Sequence, residues 1–416
     1  MSDFTQNVAA AENELRQLFA PTPLQRNEYL SKKYQADIYL KREDLSPVRS
    51  YKIRGAFNAM RKALKENPDI ETFVCASAGN HAQGLAFAAK HFGVRGVIFM
   101  PVTTPEQKIN KTMIFGGGQV ETRLVGDYFD DTLKAAQEFC TNEGARFLPP
   151  YDDYDVIEGQ ATVGAEVLAQ LGDVKPDMMI LPVGGGGLSS GLVRYVSDVM
   201  PDLAIRFTEP SGGRSLYSAL SAGHLVTLPH VNNFVDGAAV ARIGDKNFET
   251  LQHISPDHVL GIDEARLCTT IIEMLNIEGI VLEPAGALTI DALKDLRNEI
   301  KGKTIICVSS GGNFDFERLP DVKERAMRYD GRKKYLILRL PQRPGALKDF
   351  LNLLGPDDDI ARFEYLKKSA RNFGAVLIGL ETRNPDGNPA LFATLNENGF
   401  SFQDITDNEM LSEILV

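Results

Sequence analysis

Residues 178–187 read Met-Met-Ile-Leu-Pro-Val and then four consecutive glycines, Gly184 to Gly187, before a helical pattern begins at Leu188. An apolar run that ends in glycine and enters a helix at once marks a buried strand, a tight turn and a helix start. The chain uses this junction more than once. "TFVCAS" at 72–77 passes through Ala78-Gly79-Asn80 into "HAQGLAFAAKHFG", and strand-like and helical stretches keep alternating from residue 72 to about 313. Alternation of this kind predicts an α/β fold with largely parallel sheets, whose ligands sit where strands end and helices begin.

The character changes near residue 315. "DFERLPDVKERAMRYDGRKK" is highly charged and reads as a connector, after which "KYLILRL", "PGALKDFLNLLG", "ARFEYLK", "GAVLIGLE", "ALFATLNENG" and "FSFQDIT" follow in the order βαββαβ. That order predicts a separate α+β module of the ferredoxin-like kind. The expected organisation is a main domain over 1–320 with a smaller lobe at about 55–160, a connector over 321–333 and the module over 334–416.

With 416 residues, 43% of them hydrophobic and 24% charged, the chain can bury more than one core. A net charge of -11 without a long basic run argues against nucleic acid as a partner. No stretch reaches the roughly 18 apolar residues of a membrane span, and the N-terminal "MSDFTQNVAAAENELRQLF" lacks the basic start and apolar run of a signal peptide. Cys75, Cys140, Cys268 and Cys307 stand singly in apolar segments, as core thiols of a cytoplasmic protein do. Small molecules are the expected partners.

Backbone N–H groups of Gly184 to Gly187 can turn inward as a nest, and the helix behind them adds its positive end, so the loop suits a phosphate monoester. A dinucleotide reading also has a candidate acid in Glu209, but Ser189 and Ser190 fall where G-x-G-x-x-G needs its third glycine. A phosphate-bearing cofactor that is not a nucleotide turns attention to Lys52 in "SPVRSYKIRGAF", an amine between Arg49 and Arg54 beside Tyr51. Pyridoxal phosphate needs such an amine, and burial with neighbouring cations favours its neutral form.

Four ordered stretches carry a resemblance. "SYKIRGA" resembles the lysine motif of the fold-type II pyridoxal-phosphate enzymes, "SAGNHAQG" (77–84) their asparagine loop, "VGGGGL" (183–188) their phosphate loop and "SSGGN" (309–313) their ring-nitrogen segment; "TPL" at 22–24 and "EPAGA" at 283–287 also match. The likeness covers about residues 15–315, and within the family it is strongest to the threonine dehydratases, in the short biosynthetic form with one C-terminal ACT-like domain. It implies a two-lobed catalytic domain like the tryptophan synthase β-subunit, followed by an ACT-like ferredoxin-like module. It also implies pyridoxal 5'-phosphate as cofactor, anchored on Lys52, which then shuttles the substrate Cα proton. Asn80 contacts the cofactor's 3'-hydroxyl, Gly184, Gly185, Gly186, Gly187 and Leu188 hold its phosphate, and Ser310 meets its ring nitrogen. The loop of Ser77, Ala78, Gly79, Asn80 and His81 binds the substrate carboxylate, and the bound phosphate is the candidate acid for the departing hydroxyl.

The activity so implied is deamination of L-threonine to 2-oxobutanoate and ammonia, the first committed step towards isoleucine. Isoleucine is the expected inhibitor, with valine as an opposing effector, and a homodimer or homotetramer the expected assembly. The alternative is a catabolic serine/threonine dehydratase or serine racemase. Against racemisation, Ala78 stands where racemases of this family carry a second serine. Glu209 resembles a metal-site glutamate of related enzymes, but Ser215 replaces the acid that would complete the site, so no divalent metal is expected, and a monovalent cation there is left open. His81 is expected to pack or cap, and Glu283 to orient the pocket or bond backbone.

Overall fold

The computed structural model describes residues 3–365 and 372–408. The chain forms two compact units, Met1–Asp315 and Phe316–Val416. The last two residues of the strand expected over 361–367, the ends of the expected first domain at 1–2 and the end of the module at 409–416 lie outside the described residues.

In chain order the strands of the first unit are β1 (Leu24–Arg26), β2 (Asp37–Arg42), β3 (Thr72–Ala76), β4 (Arg95–Met100), β5 (Val120–Leu124), β6 (Arg146–Phe147), β7 (Met178–Pro182), β8 (Ala204–Pro210), β9 (Val259–Ile262) and β10 (Thr304–Ser309). One sheet has the order β1-β2-β10-β7-β8-β9 and a smaller one β5-β4-β3-β6. All pairings are parallel except β1 with β2. Parallel strands covered on both faces need apolar side chains in both directions, which is why β7 reads as an unbroken apolar run and is buried throughout. The small sheet lies within the stretch expected for the smaller lobe.

Helices follow the strand ends as the glycine junctions predict. β3 leads to helix Asn80–Phe92, and β7 leads through the glycine run to helix Gly187–Val199. Helix Lys52–Glu66 follows β2 and buries Ile53, Phe57 and Met60 in a core shared with Phe73 and Cys75 of β3 and Ile98 and Met100 of β4. Helix Tyr154–Leu171 is capped by Asp153, whose side chain accepts from Asp155 N and Val156 N.

The second unit holds β11 (Lys333–Pro341), β12 (Asp358–Tyr365), β13 (Phe373–Thr382) and β14 (Ser401–Asp404) in the order β12-β13-β11-β14, every pair antiparallel. Helices Ala346–Leu351 and Asn388–Glu397 complete the βαββαβ path around a core that includes Leu338, Phe350, Val376, Ile378 and Leu395. This is the ferredoxin-like arrangement. The charged stretch read as a connector is helical over Leu319–Tyr329 and belongs to this unit. Val322 and Ala326, four residues apart, are buried on one face of that helix, an apolar pair that its charged composition conceals.

Candidate active site

Four separate stretches meet at the C-terminal ends of parallel strands, where an open α/β sheet leaves a crevice. The segment before Lys52 is stitched to the end of β10: Ser50 bridges Gly311, Tyr51 N donates to Ser310 O at 3.1 Å, and Gly312 N donates to Arg49 O at 2.9 Å. Lys52 opens its helix, and its Nζ donates to Pro150 O at 2.8 Å. Loss of hydration pulls the ammonium down to about 8 from an ordinary 10.5, with Glu283 opposing the change. The flanking arginines do not supply this shift. Arg54 is fully buried and turned into an ion network with Glu43 at 2.8 Å and Glu166 at 2.8 Å, so the expectation that it would act on Lys52 is corrected.

The glycine run bends sharply. Gly186 has φ 93°, a left-handed conformation that a side chain would strain, and caps the following helix. A Cβ on Gly185 would lie 2.3 Å from the ring of Tyr151, so the loop backbone passes directly against that ring. Asn247 Nδ2 holds Gly185 O at 2.8 Å, and Ser190 Oγ donates to Asn247 Oδ1 at 2.7 Å. Leu188 is buried beneath the loop. Among the described residues no acceptor takes the N–H groups of Gly184, Gly185, Gly186, Gly187 or Leu188. Five unclaimed backbone donors at a helix start fit a phosphate monoester, and a desolvated amine nearby fits an aldehyde. The residues present therefore suit pyridoxal phosphate.

Asn80 begins its helix, donates from Nδ2 to Glu283 Oε1 at 2.7 Å, and accepts at Oδ1 from Asn313 Nδ2 at 2.7 Å. In the preceding loop Ser77 N is committed to Phe99 O at 3.0 Å, and Gly79 N to Ser77 Oγ at 3.2 Å. The N–H groups of Ala78, Asn80 and His81 have no acceptor among the described residues, so these three, rather than the whole loop, are open to a carboxylate. Burial, together with the charge of Lys52, drops His81 to about 3 and keeps it neutral, and its Nε2 meets Leu148 O at 2.9 Å. It is a packing residue. Ser310 is buried at the end of β10 and presents its carbonyl to Tyr51.

Among the described residues the Glu283 carboxylate takes no backbone N–H, although one reading expected it to; it accepts from the Asn80 amide. Burial first, then the charge of Asp236, raises it to about 7, against the pull of Asn80. Glu209 does bond backbone, taking Leu216 N at 2.7 Å and Tyr217 N at 3.0 Å at the start of helix Ser215–Ala222. Its carboxylate caps that helix.

Sequence reading missed the segment that joins these parts. Leu148, Pro150 and Tyr151 follow β6 and touch His81, Lys52 and the glycine loop in turn. No motif marks them, since two of the three act through carbonyl oxygens. Asn313 was within reach as the last residue of "SSGGN"; Lys111, which donates to it at 2.9 Å, carried no signal.

Comparisons with known proteins agree with this geometry. Residues 15–311 match the family "Pyridoxal-phosphate dependent enzyme", and residues 324–415 match the "C-terminal regulatory domain of Threonine dehydratase". The biosynthetic L-threonine dehydratase of Bacillus subtilis is 44% identical over 99% of this chain and 97% of its own, and that of Halalkalibacterium halodurans is 43% identical over 99% of each. Among solved structures, a processed threonine deaminase isoform from Solanum lycopersicum aligns with TM-score 0.72 and 34% identity, covering 78% of this chain and 94% of that one. The crevice, its unclaimed donors and its desolvated lysine thus sit in a chain that belongs to the pyridoxal-phosphate-dependent enzymes, in the biosynthetic threonine dehydratase family.

Proposed function

We propose that this protein deaminates L-threonine to 2-oxobutanoate and ammonia, using pyridoxal 5'-phosphate held between the glycine loop and Lys52. The observation that carries the reading is the meeting of a half-buried amine, lowered to about 8 by loss of hydration, with five unclaimed N–H donors at the ends of parallel strands. When bound, the cofactor supplies an electron sink that makes the substrate Cα proton removable and the β-hydroxyl expellable. Lys52 Nζ anchors it and, when free, takes the Cα proton, a role that burial suits by keeping part of the amine neutral near pH 7. Gly184 to Leu188 hold the phosphate, and Ala78, Asn80 and His81 offer N–H groups to the substrate carboxylate. Ser310 would meet the ring nitrogen with a hydroxyl, which could not hold it protonated as a carboxylate would. Asn80 retains one Nδ2 hydrogen, beyond its bond to Glu283, for the cofactor's 3'-hydroxyl.

The biosynthetic names of the relatives support a place at the first committed step towards isoleucine. The match of residues 324–415 supports control by an amino-acid effector on the second unit, isoleucine inhibiting and valine opposing. A groove of about 570 Å³ there, lined by Leu340, Arg343, Leu347, Leu351 and Tyr365 among others, offers a charged edge and an apolar wall to such a ligand. No helix among the described residues is long and apolar enough to cross a membrane, and a cytoplasmic location is proposed. The proposed assembly is a homodimer or homotetramer, which sedimentation velocity checks.

Purified protein loaded with pyridoxal phosphate should show a visible band that borohydride fixes on Lys52. It should release 2-oxobutanoate from threonine with a higher kcat/KM than pyruvate from serine. A serine preference would instead favour the catabolic alternative. Ala78 offers a methyl where a racemase needs a proton donor, so chiral chromatography should find no D-serine.

A further inference from the structure

Asn80 is one link in a chain of side chains that crosses the crevice. Lys111 Nζ donates to Asn313 Oδ1 at 2.9 Å, Asn313 Nδ2 donates to Asn80 Oδ1 at 2.7 Å and to Val48 O at 2.8 Å, and Asn80 Nδ2 donates to Glu283 Oε1 at 2.7 Å. Lys111 and Asn80 belong to helices of the smaller lobe, whereas Asn313, Val48 and Glu283 belong to the part built on the large sheet. Lys111 sits on helix Glu106–Gly116, which two further bonds bring to the same edge: Lys108 to Asp236 at 2.9 Å, and Gln107 to Asp315.

The chain has only one direction open to it. An ammonium has donors and no acceptor, so Asn313 must turn its oxygen to Lys111. A backbone carbonyl only accepts, so Val48 demands the nitrogen of the same amide, and the two demands agree. Both Nδ2 hydrogens of Asn313 are then spent, one on Val48 and one on Asn80. Asn80 is obliged to turn its oxygen to Asn313 and its nitrogen to Glu283. Glu283 is held in place for this because Gly311 has no side chain; a Cβ there would lie 2.2 Å from Glu283 Oε1.

We propose that Lys111 and Asn313 are positioning residues that set the amide of Asn80 as a donor towards the cofactor, by imposing direction on this chain from the far side of the crevice. The proposal rests on the reading above that Asn80 faces the cofactor. Neither residue touches the reacting atoms. What they supply is the choice between the two faces of an amide whose oxygen and nitrogen differ little in size and oppositely in hydrogen bonding.

Asn313→Asp tests this with almost no change of shape. An ionised carboxylate still accepts from Lys111 but donates nothing, so Asn80 must turn its Nδ2 to residue 313 and its oxygen towards Glu283 and the cofactor. The expected results are a cofactor Kd raised about tenfold or more, as for one good hydrogen bond replaced by an acceptor–acceptor contact, and a shifted pH midpoint of the bound cofactor's visible band. Lys111→Met removes the outer anchor and should raise Kd by about threefold with a smaller shift of the same midpoint, while Lys111→Arg, which keeps a donor-only cation, should stay within about twofold of the wild type. Thermal unfolding and near-ultraviolet circular dichroism report whether each variant is folded; if Asn313→Asp is not, the half-buried Lys111 pair decides. Folded Asn313→Asp and Lys111→Met proteins with wild-type Kd and band midpoint would overturn the proposal. A wild-type protein that binds no cofactor would overturn the underlying reading as well, and the two failures are thus told apart.

Discussion

The amide of Tyr51 donates to the carbonyl of Ser310 at 3.1 Å, so the residue before Lys52 is tied to the end of β10 across more than half the chain. This one backbone bond, with the Ser50–Gly311 bridge beside it, sets the lysine and the serine at adjoining positions around the crevice. The lysine segment and the end of β10 are thus joined main chain to main chain, whereas the glycine loop and Asn80 are held by side chains.

Lys52→Ala should abolish turnover, lowering kcat by at least about a thousandfold, since both anchor and base are lost together. Among the described residues its Nζ makes one hydrogen bond, to Pro150 O, and lies over the Tyr51 ring, so the fold should survive. Steady-state rates with threonine, alongside circular dichroism, check both halves of the expectation.

The lowered lysine predicts a pH profile. With a value of about 8, the neutral amine is about a tenth of the total at pH 7 and about half at pH 8. Capture of pyridoxal phosphate by the apoprotein should thus accelerate about tenfold per unit below pH 7 and level off above about 8; a rate still climbing at pH 10 would mean an ordinary lysine. The same displacement affects stability. Between about 8 and 10.5 the unfolded lysine holds a proton that the folded one has released, so the apoprotein should gain stability as pH rises through that window.

Gly185→Ala places a methyl group where the Tyr151 ring lies 2.3 Å away, and the ring is packed against the loop. Overpacking of this kind costs about 1–3 kcal/mol. We expect a lower Tm and, because the phosphate donors move with the backbone, a smaller rise in Tm on adding cofactor, both readable in one thermal-shift series.

Arg54→Met should destabilise the first unit by about 3–5 kcal/mol, because it strips a buried cation from two buried carboxylates, Glu43 and Glu166. Burial alone would raise Glu166, but Arg54 and Lys41 together hold it below the usual carboxylate range. Urea unfolding of the apoprotein measures the loss; a change under about 1 kcal/mol would mean that Lys41 and Arg16 suffice.

A chain ending at Asp315 should keep threonine deamination and lose inhibition by isoleucine. The cut follows the boundary between the units, and the second unit has a core of its own, so neither core is opened. Rates with and without isoleucine decide it, and undiminished inhibition would place the effector on the first unit.

Much of this was legible in sequence because it is local. Strand, glycine turn and helix start are neighbours in the chain, so the runs at 72–93 and 178–200 announce both the α/β class and the crevice. The βαββαβ order of the second unit was legible for the same reason. Helix Leu319–Tyr329 was not, because two buried residues four apart are a faint signal among charges.

Lys52, Asn80, the glycine run and Ser310 could be picked from their motifs, but the motifs do not say what each atom does. Only the folded chain shows that burial and not Arg54 makes Lys52 labile, that Ser77 N is already spent, and that Glu209 is a cap whereas Glu283 is a partner of Asn80. Local pattern determined which residues form the turns. Hydration, donor count and the direction of an amide depend on which distant groups come within about 3 Å, and that was decided by tertiary structure alone.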